Sequence, residues 1–290
     1  MLRTVLQGVK RSRLLAPVRA WRRAERQRIV CAHLDLSRPG LEIGPGHNPL
    51  LPKGEGWRVE TLDWMGADDL RAKYAALGLD GSRIEPVDYI WRGEPFARVV
   101  GGKRFAWIIA SHVIEHTPCL ITFLRDCQSI LEPDGVLSLA VPDKRYCLDV
   151  FRERSSIARV IDVFEAGVKR PTTGGAADHY LNVAYQDGRN TWRRTRGRRL
   201  RHFHTPEAAA AAVAAHCDGD SYVDLHNWVF TPGMMRLLLD DLYRLGYIGM
   251  REVGFHPMRG HEFFVSLGPS GRGPSLARPA LARLALREAR

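Results

Sequence analysis

Short runs of apolar and β-branched residues recur between residues 38 and 150, and each has the length of a strand buried in a sheet. Between the last two runs, apolar residues repeat every three or four positions from Leu120 to Leu131, which predicts a helix that ends at the Pro-Asp-Gly of 133–135. Strands that alternate with crossovers predict an α/β fold with a doubly wound, mostly parallel sheet. The predicted strands are 40–43, 58–62, 84–88, 105–111 and 136–141.

The pattern is less regular at both ends of this region. Pro49 and Pro52 leave little room for a full helix between the first two strands. Farther along, a helix is predicted from Pro232, with Thr231 as its N-cap and Gly246 beyond its end. Its methionines are expected in the core. Two strands, 248–255 and 261–267, follow this helix.

Composition fits a folded, enzyme-sized chain. The 290 residues are 45% hydrophobic, which allows one large domain or a domain with a long insertion. The five cysteines are scattered without a Cys-x-x-Cys pair, so neither a disulfide framework nor a zinc site is predicted. We expect a reducing, cytoplasmic location, and no stretch is apolar for long enough to span a bilayer.

The formal net charge of +11 is concentrated in three segments. Residues 1–37 read as a basic amphipathic extension, expected to pack loosely, with contact to an acidic membrane surface left open. Residues 269–290 read as a basic, mobile tail. The run 188–204 carries seven arginines and would suit a nucleic acid, solvent or an acidic small substrate. Because the charge does not describe a basic face of the core, nucleic acid is disfavoured.

Chemistry is suggested first by LEIGPGHNPLLP, residues 41–52, at the carboxyl end of the first strand, where ligands bind in such sheets. Glu42 precedes Gly44, Pro45 and Gly46. A dinucleotide motif would have a third glycine where Pro49 stands. A bare glycine turn beside a carboxylate suits a cationic amino or sulfonium group better than a pyrophosphate.

Acids and polar residues also follow the next three strands. Asp63 comes about 20 residues after Glu42, a spacing at which an acid can hold both hydroxyls of a ribose. Asp88 is placed to accept a hydrogen bond from an exocyclic amine such as that of adenine, with Tyr89 beside it to cover the ring. The fourth strand ends in ASHVIEH, residues 110–116.

Together these motifs resemble the class I S-adenosylmethionine-dependent methyltransferases, closest to the small-molecule branch called methyltransferase type 11. The resemblance covers about 38–150 and, more loosely, 225–268, and it implies a Rossmann-like methyltransferase fold with an antiparallel edge strand and S-adenosylmethionine as cofactor. It assigns the methionine part to the first acid and glycine loop, the ribose to the second acid, the adenine to the third, and the methyl group to the segment after the fourth strand. The implied cofactor residues are Glu42, Gly44, Pro45, Gly46, Asp63, Trp64, Asp88, Tyr89, Ser111 and His112.

The predicted organisation is a methyltransferase domain, 38–143 and 228–268, interrupted by a substrate-binding insertion at 144–227. The insertion is too long for a connection, and at this edge of the sheet it would form a lid over the ligand cleft. Its histidines match no zinc spacing, and no metal site is predicted.

A sulfonium is already an activated methyl donor, so a base is needed only for a protonated acceptor such as a hydroxyl. The candidates are His116 and His112 first, then Asp143 and His179, and a purely supporting role for the histidines stays open. The expected reaction is methyl transfer to a small polar acceptor, a hydroxyl of a sugar, glycan intermediate or secondary metabolite. The alternatives are an RNA methyltransferase that does not act on base amines, because the (Asn/Asp)-Pro-Pro-aromatic motif is missing, and a non-catalytic S-adenosylmethionine-binding protein.

Overall fold

The computed structural model describes residues 17–18, 20–186, 189–190, 200–218 and 223–289. A seven-stranded sheet forms the centre, in the order β3-β2-β1-β4-β5-β10-β9, and a three-stranded sheet, β7-β6-β8, lies in the insertion. The strands are β1 Gly40–Ile43, β2 Val59–Asp63, β3 Tyr89–Ile90, β4 Phe105–Ser111, β5 Leu131–Pro142, β6 Ala184–Gln186, β7 Arg189–Asn190, β8 Leu200–His202, β9 Arg251–Arg259 and β10 Glu262–Gly268.

Helices cover both faces of the central sheet. The first, α1, spans 20–30. The others are α2 Ala67–Ala76, α3 Phe96–Val99, α4 Leu120–Ser129, α5 Ile157–Glu165, α6 Thr173–Asn182, α7 Pro206–Asp218, α8 Pro232–Arg244 and α9 Arg278–Glu288. None of the helices in the described ranges combines the length and the apolar character that crossing a bilayer requires.

The strand directions confirm the predicted fold class. β1 pairs in parallel with β2 and β4, and β4 pairs in parallel with β5. β10 is antiparallel to both β5 and β9, which gives the antiparallel edge. The first crossover contains only a 3₁₀ turn, Lys53–Glu55, as its prolines predict. The carboxyl ends of β1, β2 and β4 therefore lie at one edge of the sheet.

Two predicted elements between residues 84 and 142 need correction, and one predicted helix start is confirmed. The third strand is not 84–88 but the two residues Tyr89–Ile90, so Asp88 precedes the strand instead of ending it. The helix α4 ends at Ser129, and the Pro-Asp-Gly segment belongs to β5. Thr231 does stand at the N-cap of α8, but its side chain makes no capping hydrogen bond.

The N-terminal extension is not a loosely packed helix over its described part. Ile29 and Val30 are buried in a second core cluster with Trp107 and Phe264 of the sheet. The larger cluster, which includes Met235 of α8, covers the opposite face, so α1 closes one side of the sheet. The sequence showed an amphipathic helix, and only the uncovered sheet face shows where its apolar side packs.

The prediction of a mobile tail is also wrong for its second half. Helix α9 packs on α8: Leu281 is fully buried, and a Cβ at Gly233 of α8 would lie 2.6 Å from Leu284. The Glu288 carboxylate accepts a hydrogen bond of 2.8 Å from the Gly233 amide. Pro and Gly upstream of α9 suggested mobility, but they only set the connection to a helix that buries its apolar stripe.

The insertion begins inside the core instead of above it. Asp149, Arg152 and Val160 are buried, while α6 and α7 build the outer part with the small sheet. Most of the arginine-rich run, 191–199, lies outside the described residues, and its predicted binding role stays a prediction.

Candidate active site

The glycine turn after β1 needs both of its glycines. Gly44 has a φ of +63° and Gly46 a φ of +50°, values that side chains rarely adopt. A Cβ would also lie 2.8 Å from Val113 at Gly44 and 2.4 Å from the Tyr74 hydroxyl at Gly46. The Pro45 carbonyl accepts a bond of 3.1 Å from the Asn48 amide, which tightens the turn.

Glu42 is buried, and its carboxylate supports the loop. Its two oxygens accept hydrogen bonds from the backbone amides of Leu50, at 2.8 Å, and Leu51, at 3.2 Å. Burial raises its pKa, and these amide bonds oppose the rise. The carboxylate thus closes the proline-interrupted loop against β1, and Glu42 is not among the residues that line the cavity described below.

Asp63 is the last residue of β2, at the carboxyl edge where a ribose acid was predicted. It is buried, its carboxylate accepts a 2.8 Å bond from the Trp64 amide, and burial raises its pKa to about 6. The half-buried Trp64 ring lies 4.7 Å from the Lys73 ammonium. The expected contacts of Asp63 and Trp64 with the cofactor stay predictions.

Asp88 does not stand at the edge. Its carboxylate pairs with Lys53 and accepts a 2.7 Å bond from the amide of Thr61, two residues before the end of β2. Tyr89 donates its hydroxyl hydrogen to Glu60. The sequence predicted that Asp88 ends the third strand, but this strand ends at Ile90. The Asp88 carboxylate therefore bonds to Lys53 and to the backbone of β2 instead of standing at the carboxyl edge.

The segment after β4 is held by Glu262 at the start of β10 and by Arg26 of α1. The Ser111 hydroxyl accepts a 2.6 Å bond from Arg26, which also pairs bidentately with Glu262 at 2.7 and 2.9 Å. His112 has a φ of +54°, and its Nε2 lies 2.9 Å from Glu262. Burial raises the pKa of Glu262, but hydrogen bonds from His112 and Arg26 outweigh it and hold that pKa at about 2.

Next in the chain, the 3₁₀ turn Ile114–His116 presents Glu115 and His116. Glu115 is fully buried, and neither of its carboxylate oxygens accepts a hydrogen bond from the described residues. Two imidazoles lie beside this carboxylate: Oε1 lies 3.5 Å from His112 Nδ1 and 4.0 Å from His116 Nε2. His116 Nδ1 lies 2.8 Å from Asp224. Burial lowers the pKa of His116, but Asp224 and Glu115 outweigh it and raise that pKa.

A cavity of about 560 Å³ opens between this turn, the glycine loop and the insertion. Seven imidazoles and two carboxylates contribute to its wall. Its lining residues are His47, His112, Glu115, His116, Leu148, His179, Val183, Phe203, His204, Asp224, Leu225, His226 and His261.

Behind the wall, a buried ion network fixes the insertion. His226 Nδ1 lies 2.5 Å from Asp149, and Asp149 also pairs with Arg152 at 2.8 Å. Arg152 in turn reaches Asp178 of α6 at 2.8 Å. Burial raises the pKa of Asp149, but His226 and Arg152 hold it well below its usual range. The network orients the His226 ring toward His116, at 4.6 Å between ring centroids.

His179 extends from α6 into the cavity wall, where a candidate base must lie. Its Nδ1 is buried and has no hydrogen-bond partner in the described part of the chain. Burial and then the positive charge of Arg152 lower the pKa of His179 to about 3, so its imidazole is neutral at pH 7.

Asp143 is not brought to the cavity. Its fully buried carboxylate caps the 3₁₀ turn Lys144–Tyr146 and pairs with Arg145 at 2.5 Å. The carboxylate is neutralised there, which removes Asp143 from the candidate bases.

The fold brings two side chains close to His116 to which the sequence assigned no role. Glu115 lies inside the His-x-x-Glu-His segment, whose spacing was the available signal, but its burial was not visible. His226 comes from the far end of the insertion and had no spacing to mark it.

Comparison with known proteins agrees with this architecture. A family model described as a methyltransferase domain matches residues 16–216. No match was found among curated protein sequences.

Similar solved structures include the CcbJ methyltransferase of Streptomyces caelestis, 15% identical over 83% of this chain and 93% of that one, with a TM-score of 0.43. The glycopeptide N-methyltransferase MtfA complexed with S-adenosyl-L-methionine is 15% identical over 85% and 93%, with a TM-score of 0.41. The mitomycin 7-O-methyltransferase MmcR is 12% identical over 85% and 53%, with a TM-score of 0.38.

The family match covers most of the chain, and the sheet has the parallel order and antiparallel edge that the motifs imply. The chain belongs to the methyltransferase domain family and is a class I S-adenosylmethionine-dependent methyltransferase.

Proposed function

We propose that the chain methylates a hydroxyl group of a small polar acceptor, such as a sugar, a glycan intermediate or a secondary metabolite. The cavity carries this proposal, because it adjoins the glycine loop at His47 and is walled on its other side by the insertion. Its volume of about 560 Å³ falls within the range of small-molecule sites. Imidazoles and carboxylates dominate the wall, which suits an acceptor rich in hydroxyl groups.

The insertion supplies the acceptor side of this cavity. His179, Asp224 and His226 line it, and the buried Asp149–Arg152 pair holds this part of the chain against the core. A connected cleft of this kind is what a non-catalytic S-adenosylmethionine-binding protein would lack. The cavity therefore supports catalysis over the scaffold alternative.

In the proposed reaction, an acceptor oxygen attacks the methyl carbon while the carbon–sulfur bond breaks. The electron pair of that bond stays on sulfur and gives neutral S-adenosylhomocysteine, and the hydroxyl proton passes to an imidazole. We assign this proton to His179, because its side chain lines the cavity and its buried Nδ1 has no hydrogen-bond partner in the described chain. Since burial lowers the pKa of His179 to about 3, the imidazole takes the proton from the acidic oxonium that forms as the methyl group is transferred, not from the free hydroxyl. The enclosing wall aligns the acceptor and excludes water.

The test uses the purified full chain with S-adenosylmethionine and four acceptor panels: sugars and glycosides, phenols, primary amines, and RNA oligonucleotides. Mass spectrometry should find a product heavier by one methylene in a hydroxyl panel, with S-adenosylhomocysteine formed in equal amount. His179→Asn should lower kcat by about 10² to 10⁴ and leave the KM for S-adenosylmethionine unchanged.

The matched control is His256→Asn, a histidine on β9 outside the cavity, whose kcat should equal that of the wild type. Methylation of RNA alone, or of amines alone, would overturn the proposed acceptor class. An unchanged kcat in His179→Asn would remove His179 as the proton acceptor.

A further inference from the structure

A cluster in the wall of the cavity has the composition of a metal site. Glu115, His116 and His226 each offer one ligand atom, and these atoms lie within 4.8 Å of one another. Two bonds of about 2.1 Å to one ion allow donor atoms to lie at most about 4.2 Å apart. The 4.0 Å between Glu115 Oε1 and His116 Nε2 is already within that limit.

Glu115 provides an independent sign that a cation is expected. It is fully buried, and both carboxylate oxygens lack a hydrogen-bond donor among the described residues. A buried carboxylate without such donors is strongly unfavourable, and buried charges are normally paired or bound to a metal. Two imidazoles lie 3.5 and 4.0 Å from Glu115 Oε1, within ion-pair distance but longer than an ordinary hydrogen bond.

Each of the two imidazoles has a carboxylate beside its Nδ1 atom. His116 Nδ1 lies 2.8 Å from Asp224, and His226 Nδ1 lies 2.5 Å from Asp149. A ligating histidine commonly donates its other ring N–H to a carboxylate, which fixes the ring and leaves Nε2 for the ion. His226 has this hydrogen-bonded partner, whereas the Asp224 carboxylate lies beside His116 Nδ1 within ion-pair distance but without hydrogen-bond geometry. Both carboxylates come from the insertion.

A neighbouring cluster, His112 with His261 and Glu262, is less suited. Glu262 already pairs bidentately with Arg26, at 2.7 and 2.9 Å. A guanidinium held on the carboxylate neutralises it and occupies its oxygens, so this second group has no unmet need for a cation.

We propose that Glu115, His116 and His226 bind one divalent first-row transition metal ion, with Zn²⁺ as the reference ion, and leave a coordination position open to the cavity. Two imidazoles and one carboxylate form the ligand set of open zinc and non-haem iron(II) sites. Resting on the proposed function, the ion would bind the acceptor oxygen and lower the pKa of its hydroxyl. The proposed acceptors are then molecules whose hydroxyl groups can coordinate the ion, such as vicinal diols.

The first test is binding of Zn²⁺ to the full chain after chelator dialysis, followed by calorimetry and by thermal unfolding, without cofactor or acceptor. We expect about one ion per chain and a rise in Tm with Zn²⁺. Co²⁺ should give visible absorption bands of a low-symmetry site with nitrogen and oxygen ligands. No Zn²⁺ or Co²⁺ binding by the folded wild type would overturn the proposal.

Variants separate this site from adventitious histidine binding. Glu115→Gln should lower Zn²⁺ affinity at least 100-fold and abolish the Tm rise, yet be at least as stable as the wild type without metal, because it removes the buried charge. Asp149→Asn should lower affinity about 10- to 100-fold through His226. The matched control, His204→Gln, changes an imidazole in the same cavity and should bind Zn²⁺ like the wild type.

Wild-type affinity in Glu115→Gln, or a loss in His204→Gln equal to that in Glu115→Gln, would contradict the assignment. These readouts need no turnover, so a failure of the acceptor assay would count against the proposed function and not against the metal site.

Discussion

The raised pKa of Asp63 leads to a specific pH dependence of cofactor binding. Burial raises this pKa to about 6 in the free protein, above the ordinary 3.8. Two ribose hydroxyls both donate hydrogen bonds, so the cofactor should bind the ionised carboxylate and release the proton that Asp63 holds at low pH. Affinity for S-adenosylhomocysteine should therefore fall as the pH drops below about 6.

The size of the effect follows from linkage. When only the ionised form binds, the observed Kd equals the Kd of that form multiplied by 1 + 10^(pKa − pH). With a pKa of about 6, this factor is about 11 at pH 5 and about 1.1 at pH 7. The ratio corresponds to about 1.4 kcal/mol between these two pH values. For the free protein the sign is opposite: the raised pKa favours folding below pH 3.8, and this contribution is lost as the pH rises through about 6.

Calorimetry between pH 5 and pH 8 measures both the affinity and the proton release, the latter by comparing buffers of different ionisation enthalpy. Asp63→Asn serves as the control, because it keeps the shape and removes the titration. It should bind S-adenosylhomocysteine more weakly by about 1 to 3 kcal/mol, and the pH slope attributable to this carboxylate should be missing. Equal slopes in the wild type and in Asp63→Asn would refute the assignment of Asp63 to the ribose.

Three further predictions concern the parts that hold the site. Arg26→Met should lower the free energy of unfolding by about 2 to 3 kcal/mol in denaturant titration, because it leaves the buried Glu262 carboxylate with His112 as its remaining partner. Arg28→Met, a change at an exposed neighbour, should alter it by less than about 0.5 kcal/mol. Leu281→Ala should lower the free energy of unfolding by about 2 to 5 kcal/mol in the same assay, because Leu281 is fully buried against α8. The control Leu286→Ala, on the exposed side of α9, should be near neutral, and equal effects of the two changes would contradict the packing of α9. Gly46→Ala should weaken S-adenosylhomocysteine binding and lower Tm, since the left-handed φ and the hydroxyl at 2.4 Å both oppose a methyl group; an unchanged Tm would argue against this turn.

Much of the central sheet could be predicted because its strands are buried on both faces. Such strands read as continuous apolar runs, and β1 and β4 begin and end at the predicted residues. The short strand Tyr89–Ile90 was missed because two residues carry no periodic signal, and Asp88 was misplaced with it. Its register against β2 is a tertiary fact, since Leu62 pairs with Tyr89.

The termini show a different limit. An amphipathic pattern states that a helix has an apolar side, but it does not state what covers that side. The sheet face beneath Ile29 and the groove on α8 around Gly233 decide this, and both are formed by residues distant in the sequence.

The sequence by itself determined the buried strands β1 and β4, the glycine turn and the acid at the end of β2, because these depend on local pattern and on the common edge at which parallel strands end. Only the tertiary structure decided which histidines meet. His226 reaches Glu115 and His116 because Asp149 and Arg152 bury the start of the insertion in the core, and no local spacing encodes a contact made through that long excursion of the chain. The tertiary structure also decided which buried acid has a partner. Glu115 lies without a hydrogen-bond donor in the described chain, whereas Asp143 forms an ion pair with Arg145.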